Sequence, residues 1–266
     1  MVRKNLEGKP QTYKVIAYNV VLITTVIILW ELAAFFVNSR FFPRFSDVVK
    51  AFMTIATVGD VEGYTLLTHS VASILRVLAG FALAFATGFP LGLLMGLKPL
   101  IYDSSRSFME SIRFIPPIAW IPLAIILLTG YSRYIFIIWL GAFFPILLNT
   151  ITAVKRTSPV LIEVAKTFGA KKASAISTVV VPSASPEVAA GMRIGLGIGW
   201  MCIVAAEMIG GETIGLGRLI LNSAQLLRVD MIVAGMISIG LIGLLMNEIF
   251  LQAEKRLFRW RPEVKV

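Results

Sequence analysis

Residues 163 to 182 read EVAKTFGAKKASAISTVVVP and lie between two long apolar stretches. Just ahead stands Ser158-Pro159, a helix start: a serine hydroxyl accepts free backbone amides, and proline suits the first helical position. Gly169 falls where a left-handed cap would close the last turn. The spacing predicts a short helix from about Pro159 to Phe168, with Leu161, Ala165 and Phe168 on one face and Val160 and Val164 beside them. Glu163 lies on another side, and Ala165 is small enough for close backbone approach. A second helix, about Lys171 to Val181, is expected to return the chain to the next apolar stretch before Pro182. A short helix with an apolar face, set among lysines, is a surface for a partner to bury.

The stretches on either side decide the fold class. Apolar residues make up 57% of the chain, against roughly 45–50% in an average soluble domain. No charge occurs from Val77 to Leu97, Phe114 to Ser132, Tyr134 to Val154, or Met231 to Asn247. Each run approaches the ~20 residues with which a helix spans a bilayer. A first span reads from Val15 to Val37, with Glu31 late in it, and a fifth from Glu187 to Ile209, with Arg193 near its start and Glu207 near its end. Between them, spans are expected at about Ser70 to Leu97, Ser111 to Thr129 and Tyr134 to Val154. The expectation is an all-α membrane protein of six transmembrane helices. The first apolar run ends in Trp30-Glu31 rather than a small-residue cleavage site, so it reads as a retained span and not as a signal peptide.

The net charge of +10 orients the chain; with so much apolar sequence it does not indicate nucleic acid. Lys and Arg collect on the cytoplasmic side of membrane proteins. Arg3, Lys4, Lys9 and Lys14 precede the first span; Lys155, Arg156, Lys166, Lys171 and Lys172 sit between spans four and five; Lys255, Arg256, Arg259, Arg261 and Lys265 follow the last. Six spans put these three groups on one side, so a multi-pass protein of the cytoplasmic membrane with both termini inside is expected. Arg40, Arg44 and Lys50 then fall outside, as a smaller cluster.

Between the spans, residues 38 to 70 form an external segment in which a turn at Pro43 and an apolar repeat at Val48, Phe52 and Ile55 suggest an interfacial helix. Residues 98 to 110 read as a short cytoplasmic link, and 210 to 230 as an external loop containing Gly-Leu-Gly at 215 to 217. Pro116, Pro117 and Pro122 in the third span and Pro145 in the fourth are expected to bend helices. Glycines recur every fourth residue at 88, 92 and 96 and at 191, 195 and 199. Such faces serve close helix packing or surfaces that move against one another. Three parts follow: residues 1–64, the tail, first helix and external segment; 65–253, the permeation domain; 254–266, a cytoplasmic tail. With one cysteine, Cys202, and one histidine, His69, no disulfide, metal centre or His-based catalytic site is expected.

The segment at 163–182 resembles the EAA loop of ABC importer permeases, whose pattern is EAA, three residues, Gly, nine residues, I-x-L-P. Glu163, Val164, Ala165, Gly169, Val179, Val181 and Pro182 occupy those positions, with Val164, Val179 and Val181 as conservative departures. The resemblance continues in Phe114-Ile-Pro-Pro-Ile-Ala-Trp120-Ile-Pro-Leu123, Gly141-Ala-Phe-Phe-Pro145, Gly191-Met-Arg193, Ala206-Glu207-Met208, Trp30-Glu31 and Gly88 to Gly96. These look like permeases for aliphatic sulfonates, taurine and nitrate, and cover nearly the whole chain. The resemblance implies a type I permease fold whose 159–182 segment forms a coupling helix, Phe168 included, that docks on an ATPase subunit. It also implies a homodimer of the chain, two ATP-binding subunits and an external solute-binding protein. The cargo implied is a small anion such as a sulfonate, taurine, nitrate or bicarbonate. The chain itself holds no P-loop, so it is expected to be no enzyme and to hold no cofactor, ATP and magnesium residing on the partner. Glu163 would pair with a basic residue of that partner or brace a neighbouring loop.

Intramembrane charge is costly and usually functional. Glu31, Arg76, Arg193 and Glu207 are the candidates, read as lying near span ends, where a structural ion pair or interfacial anchor is favoured over a substrate contact. An anion path would favour Arg76 or Arg193. An autonomous secondary transporter or channel is the alternative reading; it would need no ATPase and should show broken helices in corresponding halves, a repeat this sequence lacks.

Overall fold

The computed structural model describes residues 8–260. Arg3, Lys4, Arg261 and Lys265, used above for orientation, lie outside the described residues. The chain is built from helices: α1 (Gly8–Val37), α2 (Phe45–Thr57), α3 (Leu66–Leu97), α4 (Pro99–Arg113), α5 (Ile121–Leu127), α6 (Tyr131–Lys155), α7 (Pro159–Thr167), α8 (Lys172–Ala175), α9 (Val181–Ile209), α10 (Leu216–Gln225) and α11 (Val229–Leu257).

α6 is the centre, and the two glycine stripes explain why. Both face it, one from α3 and one from α9. A Cβ at Gly92 would stand 2.7 Å from Cβ of Thr150, and one at Gly191 only 2.5 Å from Cβ of Asn149. Neither distance is tolerable, so these helix backbones meet at a separation only glycine permits. Around this contact Val77, Ile137, Ile138, Leu196, Cys202 and Ile203 form a buried apolar core. α11 joins it through Trp200, whose indole N–H donates to the Ile239 carbonyl at 3.2 Å. α2 lays Val48, Ala51 and Ile55 against Leu219, Met231 and Ala234. α1 is attached only near its end. There the Trp30 indole N–H donates to Pro43 O at 3.1 Å and the Glu31 carboxylate accepts from Ser46 Oγ at 2.8 Å. Serine 46 therefore braces α1, and no side chain caps α2 at Arg44.

Among the described residues five helices are long and apolar enough to cross a membrane. The third span is not the straight helix expected from Ser111 to Thr129. The residues read as a link form α4, and the crossing is the pair 99–113 and 117–127, bent by 81°. Pro116 and Pro117 supply no amides and restrict the residues before them, so the helix ends at Arg113 and restarts with a single 3-10 turn at Pro117–Trp120. α4 was hidden because its surface is polar; Ile101, Tyr102 and Met109 nevertheless pack against Met95, Leu147 and Ile151. Chain path requires the crossing. α3 ends where Gly96 meets Val154, the end of α6, while α6 begins at the opposite end beside Arg76. Residues between them must travel the full depth. With the bent pair as one span, the described residues thus cross six times.

Three further boundaries differ from the sequence reading. The external loop at 210–230 contains a helix, α10, with Leu216, Leu219 and Ser223 turned inward. No separate second helix closes at Val181. Instead α8 runs through a widened π turn at Ile176–Val180 directly into α9. That turn stands ahead of Pro182, whose ring would otherwise meet the carbonyl of Thr178. The fifth span therefore begins earlier than Glu187, and Arg193 falls near the middle of α9 rather than near its start.

Candidate functional site

The first candidate site is the loop between α6 and α9. α7 spans Pro159–Thr167, and Gly169 adopts φ +83°. Behind it the Ala170 amide donates to Ala165 O at 3.0 Å, closing the helix end around a left-handed residue. Nothing stands within 4 Å of a Cβ built on Gly169, so glycine is demanded there by backbone conformation alone. At the helix start Ser158 makes no side-chain cap, contrary to expectation; Pro159 alone sets it.

One apolar residue of α7 anchors the loop. Ile162 packs against Ala153, Val154, Val180, Ala184 and Val188. Its role is not legible in the sequence, where it is one of several apolar residues on α7. Its anchoring turns the other apolar residues outward: Val160, Leu161 and Val164 are exposed, and Phe168 is 87% exposed. Ala165 is half-buried and Glu163 is exposed, with no ion pair among the described residues. Val179 and Val181 are half-buried and Pro182 is exposed; they lie in the π turn and at the start of α9 rather than on the apolar face of α7. Arg156 Nη1 donates to Glu187 Oε1 at 2.8 Å, tying the end of α6 to α9 beneath the loop.

The second site is a buried polar node at the opposite end of the bundle. Glu207 is wholly buried and Arg76 is 2% exposed. Arg76 Nη1 donates to Glu207 Oε1 at 2.7 Å and to the Ile214 carbonyl at the same distance. The guanidinium lies between two aromatic rings, its carbon 5.1 Å from the centre of Tyr131 and 4.8 Å from that of Tyr134. Three successive amides opening α10 each find a side chain. Gly215 N–H donates to His69 Nδ1, Leu216 N–H to Ser73 Oγ and Gly217 N–H to Glu207 Oε2, each at 3.0 Å. These are the amides a helix start leaves without intrahelical partners, and a carboxylate there also meets the positive end of the helix dipole. With Nδ1 accepting, His69 Nε2 carries the proton toward Asp60 Oδ2 at 3.2 Å. The Gly-Leu-Gly motif is now accounted for: a Cβ on Gly215 or Gly217 would collide with Glu207 itself.

Arg76 and Glu207 therefore form a buried ion pair between α3 and α9, with neither side chain reaching water. Arg193 is half-buried, mid-helix, and makes no ion pair among the described residues. His69, Ser73 and Asp60 were not foreseen as site residues. Among the described residues no group of three His, Cys, Asp or Glu stands close enough to hold a metal.

Residues 88–259 match the family described as binding-protein-dependent transport system inner membrane component. A Methanocaldococcus jannaschii protein assigned as an ABC transporter permease is 39% identical over 265 residues, 99% of this chain and 98% of that one. The taurine transport system permease protein of Escherichia coli is 33% identical over 246 residues, covering 92% of this chain and 89% of its own. The nitrate import permease protein of Synechocystis is 34% identical over 177 residues, 66% of this chain and 64% of its own. A bundle that crosses the membrane six times and holds an apolar helix face out at one end thus has its kin: the chain belongs to the binding-protein-dependent transport inner membrane components, and is a permease subunit of an ABC importer.

Proposed function

We propose that two copies of this chain form the translocation path for a small anion, such as a sulfonate, taurine, nitrate or bicarbonate. Each copy takes one ATP-binding subunit on residues 159–182, and an external solute-binding protein delivers the anion. The observation that carries the reading is the outward apolar face of α7, with Phe168 at its tip and Ile162 holding it to the bundle. A surface of this kind is buried by a partner. The permeation domain is 65–253, with the tail and first helix before it and a basic tail from 254. The chain is no enzyme and holds no cofactor; ATP and magnesium act on the partner. Relatives named for taurine and nitrate import support the anion class. Arg193 supplies weak attraction along the path, and selection rests with the binding protein.

The lysines and arginines around α7, together with those at both chain ends, support a cytoplasmic α7 end and cytoplasmic termini. A single cysteine introduced as Lys171→Cys, in a chain carrying Cys202→Ser, is expected to resist an impermeant maleimide in intact cells and to react in inverted vesicles. Reaction from outside intact cells reverses the topology. For the transport reading, inverted or reconstituted vesicles are loaded with binding protein and radiolabelled taurine or nitrate. Release of the label to the outer, ATPase-bearing face that depends on ATP and on the ATPase subunit supports it; release without ATP restores the autonomous transporter.

A further inference from the structure

At the polar-node end, the close of α1, the start of α2 and the corner between α10 and α11 enclose a polar cleft of about 580 Å³. Four cations line it, Arg40, Arg44, Lys50 and Arg228, against two carboxylates, Asp47 and Asp230. Both carboxylates are already engaged. Asp230 takes a two-pronged contact from Arg228, Nε to Oδ1 at 2.9 Å and Nη2 to Oδ2 at 2.7 Å. Asp47 pairs with Lys50 at 3.5 Å. The nearby Glu31 is occupied by the Ser46 amide and hydroxyl. Arg40 and Arg44 make no ion pair among the described residues, and Arg44 rests over the Phe35 ring at 4.9 Å. The cleft therefore carries positive charge in excess.

Its position fixes the occupant. α1 ends at Val37 and α11 begins at Val229, so the cleft lies at the depth where two spans leave the apolar layer. Around the same last turn of α1, Phe36 and Val37 are exposed apolar surface. Two cations at headgroup level beside an exposed apolar flank match a molecule with an anionic head and acyl chains. The backbone supports the placement. Among the described residues two non-glycine residues are left-handed, Asn38 at φ 42° and Leu227 at φ 57°, and both line the cleft. Leucine rarely adopts that conformation; here it ends α10 with Arg228 N–H donating to Ser223 O at 2.9 Å, and turns the chain so that Arg228 enters the cleft.

We propose that this cleft binds the phosphate of an anionic phospholipid, gripped by Arg40 and Arg44, and so reinforces the few contacts that hold α1 to the bundle. The orientation argued above decides only which leaflet supplies the lipid, the outer one; the Lys171→Cys labelling tests that separately. The experiment is native mass spectrometry of the full importer complex in a neutral detergent, titrated with dioleoylphosphatidylglycerol. The wild-type complex should retain the lipid, and the double variant Arg40→Gln/Arg44→Gln should bind it about ten-fold or more weakly, the size expected when two headgroup-level cations are removed. Arg106→Gln, on α4, should leave binding unchanged. Asp230→Asn, which frees Arg228, should tighten it and keeps the test open if the double variant fails to assemble. Equal retention by wild type and an assembled double variant overturns the proposal. So does competition by millimolar inorganic phosphate or taurine, which would make this a site for soluble anions, and so does unchanged binding in Asp230→Asn if that variant alone assembles.

Discussion

Replacing Glu207 by alanine is expected to remove the folded permease, not merely to slow transport. The carboxylate accepts from Arg76, Ser73 and the Gly217 amide, and no water reaches it. Removing it leaves a guanidinium buried without its countercharge and opens the start of α10. Breaking a buried pair from one side costs about 3–5 kcal/mol, a large part of the roughly 5–15 kcal/mol that holds a domain folded. The purified complex should melt far below wild type, or the chain should fail to accumulate in the membrane. The double replacement Arg76→Leu/Glu207→Leu should recover part of the loss, because a neutral apolar pair has no orphan charge. A wild-type melting temperature for Glu207→Ala would mean that the node contributes nothing to stability. Transport lost with the fold intact would instead return Glu207 to the path.

That node marks the limit of what the sequence discloses. Arg76 and Glu207 stand out as charges in apolar runs, and an ion pair is the natural reading of each. Their pairing with one another spans 131 residues of chain, and no local pattern announces it. His69 and Ser73 look like ordinary helix residues until α10 supplies the amides they receive. By contrast, the glycine stripes, the cap at Gly169 and the extent of α7 depend on neighbours within a turn or two, and they were legible. The spans were legible for the same reason, since length and charge decide them. The third failed because its crossing is shared by a polar helix and a short apolar one joined at Pro116-Pro117. Arg193 was misplaced through a boundary: Pro182 and Pro186 argue for a later start to α9, but the π turn accommodates Pro182 and the helix continues past Pro186.

The loop at α7 yields the sharpest functional test. Phe168 is 87% exposed and touches no core, so Phe168→Asp should leave permease abundance and melting temperature unchanged. If the ATPase subunit buries that ring, truncation removes an aromatic anchor, a change worth on the order of 2 kcal/mol or more, and a carboxylate in its place adds desolvation. Copurification of the ATPase should therefore fall about thirty-fold or more, and ATP-driven uptake with it. Gly169→Val separates affinity from geometry. No atom obstructs the new side chain, but a β-branched residue at φ +83° costs roughly 1–2 kcal/mol and favours reopening the turn. That variant should still bind the ATPase, more weakly, while ATP hydrolysis proceeds without matching uptake, because α7 no longer holds a fixed angle to α9. Uptake at the wild-type rate by both variants would detach this loop from coupling and leave its apolar face without a use. Loss of uptake only in Phe168→Asp would keep the docking role and discard the rigid link through Gly169.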